Sequence, residues 1–155
     1  MNAKEDGCRE PWFEVSSTDR LRVFLRRTRR MPSAEFMALF VETFPMCDDT
    51  WADRHNLLRR LRRHHSPIQG EPLTLYRGCS SGRIRGISWT SDRDVAHRFA
   101  CGHRGIGVPN AVIVTAEVPA TAIFAGRLDE RNEAEYLIDP RAVRIIAIER
   151  QRSEQ

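Results

Sequence analysis

The sequence lacks the features of exported, membrane-spanning and disulfide-stabilised proteins. Its apolar runs are a handful of residues long, far short of the roughly 20 residues that a membrane helix needs. The N-terminus has no basic-then-apolar signal layout. The four cysteines include no Cys-x-x-Cys pair, so neither a disulfide framework nor a zinc knuckle is indicated. We expect a cytoplasmic protein with free thiols and no membrane partner, although non-classical delivery into another cell is also compatible with the sequence.

Lysine is nearly absent, since Lys4 is the only one and arginine carries the net charge of +4. This bias is typical of a GC-rich coding genome, so the basic pI alone does not predict nucleic-acid binding. The only metal-like fragment is CGH, with Cys101 and His103. Two ligands are fewer than a protein metal site usually has, and we predict no metal.

The chain has 155 residues, of which 41% are hydrophobic. This predicts one folded domain over residues 1–155 with its own core. A Pro- and Gly-containing break at 66–72 separates a helical part, 16–67, from a β-rich part, 72–150.

Apolar residues recur at three- and four-residue steps in the helical part and alternate in short runs after it. The three predicted helices are SSTDRLRVFLRRTRRM, PSAEFMALFVETF and DDTWADRHNLLRRLRRHH. The predicted strands are LTLYRG, IRGISWTS, AVIVTAEVP, AIFAG, AEYLID and VRIIAIE. One helix, SDRDVAHRFACG, interrupts them, with Ser91 and Asp94 spaced as a capping box. The pattern predicts an α+β fold with a mostly antiparallel sheet.

Three predicted strands carry polar residues where apolar ones are expected. Arg77 lies on the face that its strand otherwise buries, where it would need an anionic partner. Alternation places Ser88 and Thr90 on one face, and it also places Glu133 and Glu135 together, about 7 Å apart. Taken separately, each pattern is typical of a solvent-exposed face.

Taken in order, YRG, SWTS and EAEYLIDP resemble the motifs of the ADP-ribosyltransferase family, in its arginine, serine–threonine–serine, glutamate clade. The resemblance covers residues 72–150, about half of the chain. It implies a split, mostly antiparallel β-fold with the N-terminal helices packed on it. NAD would bind in the central cleft as the substrate.

The resemblance also implies roles for individual residues. Arg77 matches the arginine that holds the NAD phosphates, a task suited to its planar fork, and Gly78 follows it in the same motif as a predicted NAD contact. Ser88 and Thr90 match the element that shapes the nicotinamide pocket and steadies the catalytic glutamate. Glu135 matches that glutamate, which stabilises the positive charge of an oxocarbenium-like transition state.

Two further positions concern the acceptor and the nicotinamide ring. Glu133 matches the first glutamate of the family's Glu-x-Glu pair, which contacts the acceptor and is associated with arginine as that acceptor. Phe99 is predicted to stack on nicotinamide, with a place in the core as the alternative. Residues 125–132 stand where the family has its acceptor-recognition loop.

The sequence departs from the family pattern in two ways. Arg77 and Ser88 are eleven residues apart, whereas the family usually separates them more widely, with helices in between. Trp89 replaces a small residue, so it either crowds the pocket or packs behind it.

We therefore expect an NAD-dependent mono-ADP-ribosyltransferase that modifies a protein side chain, with arginine as the expected acceptor, and releases nicotinamide. An NAD glycohydrolase on the same fold is one alternative. Another is a non-catalytic module whose arginine-rich helices bind nucleic acid or an acidic protein. A solvated helix face also accounts for these arginines. They are Arg22, Arg26, Arg29, Arg30, Arg59, Arg62 and Arg63.

Overall fold

The computed structural model describes residues 15–48, 50–102, 107–128 and 134–152. Within these ranges the chain has four α-helices and a six-stranded antiparallel sheet, which confirms the predicted α+β class. None of the helices in the same ranges is long and apolar enough to cross a membrane. The chain divides into two compact units after His65, at the start of the predicted break. The single domain over 1–155 stays a prediction.

The first unit is helical, with α1 at Arg20–Arg27, α2 at Ser33–Thr43 and α3 at Arg54–His64. All three helices are predicted, because their apolar residues recur on one face. Four phenylalanine rings form much of the core, with neighbouring centroids 5.2 to 6.4 Å apart. These rings belong to Phe24, Phe36, Phe40 and Phe44. Such aromatic pairs contribute about 0.5–1.5 kcal/mol each beyond the area that they bury.

The second unit contains the sheet and helix α4, Arg93–Ala100. The strands are β1 Leu73–Ser80, β2 Ser88–Thr90, β3 Ala111–Val118, β4 Ile123–Leu128, β5 Glu135–Ile138 and β6 Arg144–Arg150. Their order across the sheet is β4-β5-β2-β1-β3-β6, and all neighbours are antiparallel. Each strand coincides with a predicted one, since each is a short β-branched or apolar run bounded by turn residues.

The two faces of the sheet contribute to different hydrophobic clusters. One face contributes to a buried cluster that includes Leu75, Trp89 and Val114. On the other face, the α4 residues Ala96 and Ala100 form a smaller buried cluster with Ile113 of β3. The side chain of Asp92 accepts a hydrogen bond from the Asp94 amide at 2.8 Å and caps α4. The capping box predicted at Ser91 is therefore wrong, because the helix begins one residue later.

The sheet is nearly divided between β1 and β2. In the part of the chain that the structure describes, these two strands are joined at one residue pair, Tyr76 with Thr90. Every other pair of neighbouring strands is joined at three or more positions. Two three-stranded halves therefore meet at this point, and residues 81–87 connect β1 to β2 across it.

Candidate functional site

A cavity of about 250 Å³ lies beside α4 and strands β1, β2 and β5. Every predicted site residue that the structure describes borders it. These residues are Arg77, Gly78, Ser88, Thr90, Phe99 and Glu135. Glu133 lies outside the described residues. Residues from the three motifs, distant in the chain, thus share one cavity.

The shortest polar contact of the cavity joins Ser88 and Glu135. The Ser88 hydroxyl donates a hydrogen bond to Glu135 Oε1 at 2.5 Å, which lies within the range for hydroxyl–carboxylate bonds. The strand register explains the contact, because Thr90 is opposite Glu135 and Ser88 is opposite Leu137. Residues two apart on a strand share a face, as the alternation predicts. Ser88 therefore orients the Glu135 carboxyl group at the cavity wall.

Arg77 is bound chiefly by backbone carbonyl groups. Its Nη1 donates to the carbonyl oxygen of Ser88 at 2.7 Å, and its Nε donates to that of Arg83 at 3.2 Å. Burial lowers the pKa of Arg77 from its usual range, while the charge of Glu135 acts in the opposite direction. The guanidinium stays protonated, because arginine is not deprotonated in proteins. Carbonyl oxygens thus accept hydrogen bonds from Arg77 and the Glu135 charge lies near enough to act on it, and the anionic partner that we expect for Arg77 stays a prediction.

The eleven-residue spacing between Arg77 and Ser88 is short enough to bring the two residues into direct contact. Gly86, in the connection between them, lies against the guanidinium. A Cβ atom at this glycine would be 2.3 Å from Arg77 Cζ, a distance that a real side chain cannot adopt. Gly86 therefore provides the space that Arg77 occupies.

Thr90 and Gly78 have structural contacts in addition to their place at the cavity. The Thr90 hydroxyl accepts a hydrogen bond from the Asp92 amide at 3.0 Å, next to the cap of α4. At Gly78 a Cβ atom would be 1.8 Å from the carbonyl oxygen of Ala96. The glycine therefore permits the close approach of α4 to β1. The predicted NAD contacts of both residues stay predictions.

Trp89 borders the cavity, but its side chain belongs to the main core cluster. Its side chain is 2% exposed within the main core cluster, and its indole Nε1 donates to the Gly86 carbonyl at 2.9 Å. This places Trp89 on the core side of the strand while Ser88 and Thr90 face α4. Phe99 is partly buried at the cavity, and its stacking on nicotinamide stays a prediction.

The sequence patterns missed several residues that border the cavity. Tyr76, Val95 and Ala96 also line it. Tyr76 alternates with Arg77 along β1 and is paired with Thr90. Alternation puts Tyr76 on the same face as Gly78, and this signal could have identified it. For the helical residues Val95 and Ala96 the sequence pattern predicts only burial in the core, because it does not show which part of a buried helix face borders a cavity.

The backbone just before Glu135 has an unusual conformation. Ala134 has a φ angle of 43°, in the left-handed region that non-glycine residues seldom occupy. Its carbonyl oxygen accepts a hydrogen bond from the Ser91 amide at 3.3 Å. Residues in such conformations cluster at functional sites, where neighbouring contacts hold them in place. Here the contact links the start of β5 to the end of β2.

Metal ligands do not cluster in the ranges that the structure describes, where no group of three or more His, Cys, Asp or Glu residues could hold an ion. His103 of the CGH fragment lies outside those ranges. Cys101 instead approaches His97, with Sγ 3.6 Å from Nδ1.

Comparisons with models of known protein families, with curated proteins and with solved structures found no match for this chain.

Proposed function

We propose that the chain is an NAD-dependent mono-ADP-ribosyltransferase that transfers ADP-ribose to a protein side chain, with arginine as the proposed acceptor. The observation that carries the proposal is the Ser88–Glu135 hydrogen bond in a cavity that Arg77 also borders. These are the arginine, serine and glutamate positions at which the sequence resembles the ADP-ribosyltransferase family. Residues from three motifs that are each unspecific in the sequence thereby lie around one cavity.

The sheet topology adds support. The family resemblance implies a split β-fold with NAD in the central cleft. In this chain the halves β4-β5-β2 and β1-β3-β6 meet at the single pair Tyr76–Thr90 among the described residues. Tyr76 and Thr90 both line the cavity, so the proposed cleft lies at the junction of the two halves.

The cavity volume limits which part of NAD it can hold. About 250 Å³ is below the roughly 300–1,000 Å³ typical of sites for drug-sized ligands. We therefore place the nicotinamide and its ribose in the cavity and the rest of the dinucleotide outside it. The rings of Tyr76 and Phe99 border the cavity and offer apolar surface for the nicotinamide. Arg77 supplies positive charge for a phosphate next to the ribose.

In the proposed reaction, the bond between ribose C1′ and the nicotinamide nitrogen breaks, and its electron pair leaves with nicotinamide. Positive charge then develops on the ribose. The Glu135 carboxylate, held by Ser88, stabilises this charge and accepts a hydrogen bond from the ribose 2′-hydroxyl. The acceptor nitrogen forms the new bond to C1′ and loses a proton. Glu133 would contact that acceptor.

The first test is the isosteric change Glu135→Gln, which removes the charge and keeps the shape. We expect nicotinamide release from NAD to fall by about 100-fold or more, in line with the loss of one electrostatic stabiliser. Glu117→Gln is the matched control, because Glu117 pairs with Arg144 on the exposed surface. Circular dichroism of both variants checks the fold. Retained NAD cleavage in Glu135→Gln would contradict the mechanism.

The acceptor assignment is tested in the same assay with a cell lysate and mass spectrometry of modified arginines. Glu133→Gln should lose transfer to arginine and keep part of the NAD cleavage. Equal loss of both activities would refute this division of roles. Nicotinamide release from the unmodified chain without any ADP-ribosylated protein would identify an NAD glycohydrolase instead, and no release at all would refute the enzymatic proposal.

A further inference from the structure

A second cavity, of about 380 Å³, lies in the helical unit between α1 and α3. Both helices line it mainly with arginine. The lining arginines are Arg22, Arg26, Arg29, Arg59, Arg60 and Arg63, and we call this surface the arginine groove.

The helical spacing explains why both walls of the groove are basic. On α1, Arg22 and Arg26 are four residues apart, as are Arg59 and Arg63 on α3. Residues four apart project from the same side of a helix, and a rise of about 1.5 Å per residue separates them by about 6 Å along its axis. Each wall therefore presents a pair of guanidinium groups, and the two pairs face one space.

The positive charge of the groove has little compensation. Asp53 is the only carboxylate among the described residues that line it, and it lies 3.9 Å from Arg22, which also pairs with Asp19 at 3.3 Å. No salt bridge of Arg26, Arg29 or Arg63 is found within the described part of the chain. Burial lowers the pKa of Arg60, and the nearby charges of Arg63 and Arg29 lower it further. Like charges therefore lie close enough to repel one another.

Arg60 holds the base of the groove together. Its Nη1 donates to the Leu25 carbonyl at 3.0 Å, and its Nη2 donates to the Thr28 carbonyl at 2.5 Å. Its guanidinium carbon also lies 4.9 Å from the ring centroid of Phe36. These contacts tie α3 to the end of α1. The outer arginines, such as Arg26, Arg29 and Arg63, are exposed. They can therefore contact a ligand, while Arg60 holds the two helices in place beneath them.

We propose that the arginine groove binds the phosphate backbone of a nucleic acid. A linear chain of phosphates can be neutralised from both walls at once, and guanidinium groups bind phosphate oxygens in pairs. Binding would relieve the repulsion between the walls. A groove with facing basic walls also differs from an ordinary solvated helix face, whose charges point apart into water. This site is separate from the proposed NAD cavity and does not depend on its function.

The test uses the full chain and a fluorescein-labelled 20-nucleotide single-stranded oligonucleotide, with a polyglutamate peptide of similar charge for comparison. The groove variant combines Arg26→Gln, Arg29→Gln and Arg63→Gln. The matched control combines Arg98→Gln, Arg141→Gln and Arg150→Gln, which are exposed arginines of the second unit and give the same change in net charge. Thermal unfolding of both variants checks their fold.

We expect the groove variant to bind the oligonucleotide about tenfold or more weakly at ~0.1 M salt. The plot of log binding constant against log salt concentration should also be less steep, by the amount that losing about two to three phosphate contacts produces. The control should lose less than about threefold. Equal losses in the two variants, tighter binding of polyglutamate than of the oligonucleotide, or no salt-sensitive binding by the unmodified chain would overturn the proposal. If the groove variant unfolds, the single change Arg26→Glu at an exposed position replaces it, with the same expected direction.

Discussion

At the scale of single residues, Arg77 combines two tasks that the sequence pattern does not separate. Its charge borders the proposed NAD cavity, and its hydrogen bond to the Ser88 carbonyl holds the strand from which Ser88 contacts Glu135. Gly86 makes this arrangement possible, because a side chain there would occupy the space of the guanidinium. The geometry of the candidate site therefore depends on Gly86, which lies against Arg77.

The substitution Gly86→Ala tests this dependence. The added Cβ must displace the Arg77 guanidinium, and losing a charged hydrogen bond should lower stability by about 1–3 kcal/mol. If the proposed function is right, nicotinamide release should also fall, by about tenfold or more. Gly82→Ala is the matched control, since no atom lies within 4 Å of a Cβ built there. Urea unfolding and an NAD-cleavage assay measure both effects, and unchanged cleavage in Gly86→Ala would show that the position of Arg77 is immaterial.

At the scale of elements, the contact between α4 and β1 decides where the cavity lies. The helix backbone passes so close to Gly78 that a Cβ would meet both the Ala96 carbonyl oxygen and the Ala100 amide nitrogen, at 1.8 and 2.7 Å. The cap of α4 at Asp92 and the Thr90 hydroxyl fix the start of the same helix. The position of α4 is therefore set by the cap at its start and by its close contact with Gly78 further along the helix.

The substitution Gly78→Ala should push α4 away from β1. Both clashing groups are backbone atoms, which cannot rotate aside, so we expect a loss of about 3 kcal/mol or more in the free energy of unfolding. Gly70→Ala serves for comparison, because its Cβ would meet only Ala120 Cβ at an ordinary 3.5 Å. Urea denaturation of the two variants gives the difference directly. Similar midpoints for the two variants would mean that α4 does not pack as described.

At the scale of the whole molecule, the chain divides into two compact units, and the helical one contains a partly exposed, pH-sensitive contact. His64, at the end of α3, stacks on Phe36 with ring centroids 4.5 Å apart. Its Nδ1 lies 2.8 Å from the Ser33 hydroxyl at the start of α2. Burial lowers the pKa of His64, and the charges of Arg60 and Arg63 lower it further. The native helical unit therefore favours the neutral imidazole.

The stability of the helical unit should consequently fall in mild acid. Below pH 6.5, the usual pKa of histidine, His64 is protonated more readily in the unfolded chain than in the native state, where its pKa is lower. The unfolded state then holds more protons, so stability rises with pH and is lost as pH falls through this range. Hydrogen exchange of α2 and α3 between pH 7.5 and 5.5, with its intrinsic pH dependence removed, measures the effect. His64→Gln should weaken it, whereas His55→Gln, an exposed change on the same helix, should leave it intact, and identical behaviour of both variants would contradict the assignment.

Local patterns predicted the helices and strands well but placed some of their ends wrongly. The third helix begins at Arg54, several residues after the acidic run that suggested its start. Trp51 belongs to the predicted helical segment but lies before the helix, where it is partly buried and its ring lies 4.0 Å from the Arg54 guanidinium carbon. The Asp48 amide, at the start of the predicted segment, donates instead to the Ser17 carbonyl at 2.9 Å, and a local pattern cannot reveal such a contact between distant residues.

The sequence by itself determined the α+β class, the apolar faces and the polar positions at Arg77, Ser88 and Glu135, because side-chain periodicity is a local property. Only the tertiary structure decided that β2 lies between β5 and β1, a strand order that brings the Ser88 hydroxyl within 2.5 Å of Glu135. It also decided that the arginines of α1 and α3 face one groove. These relations join segments far apart in the chain, and they follow from strand register and helix packing, which no local pattern specifies.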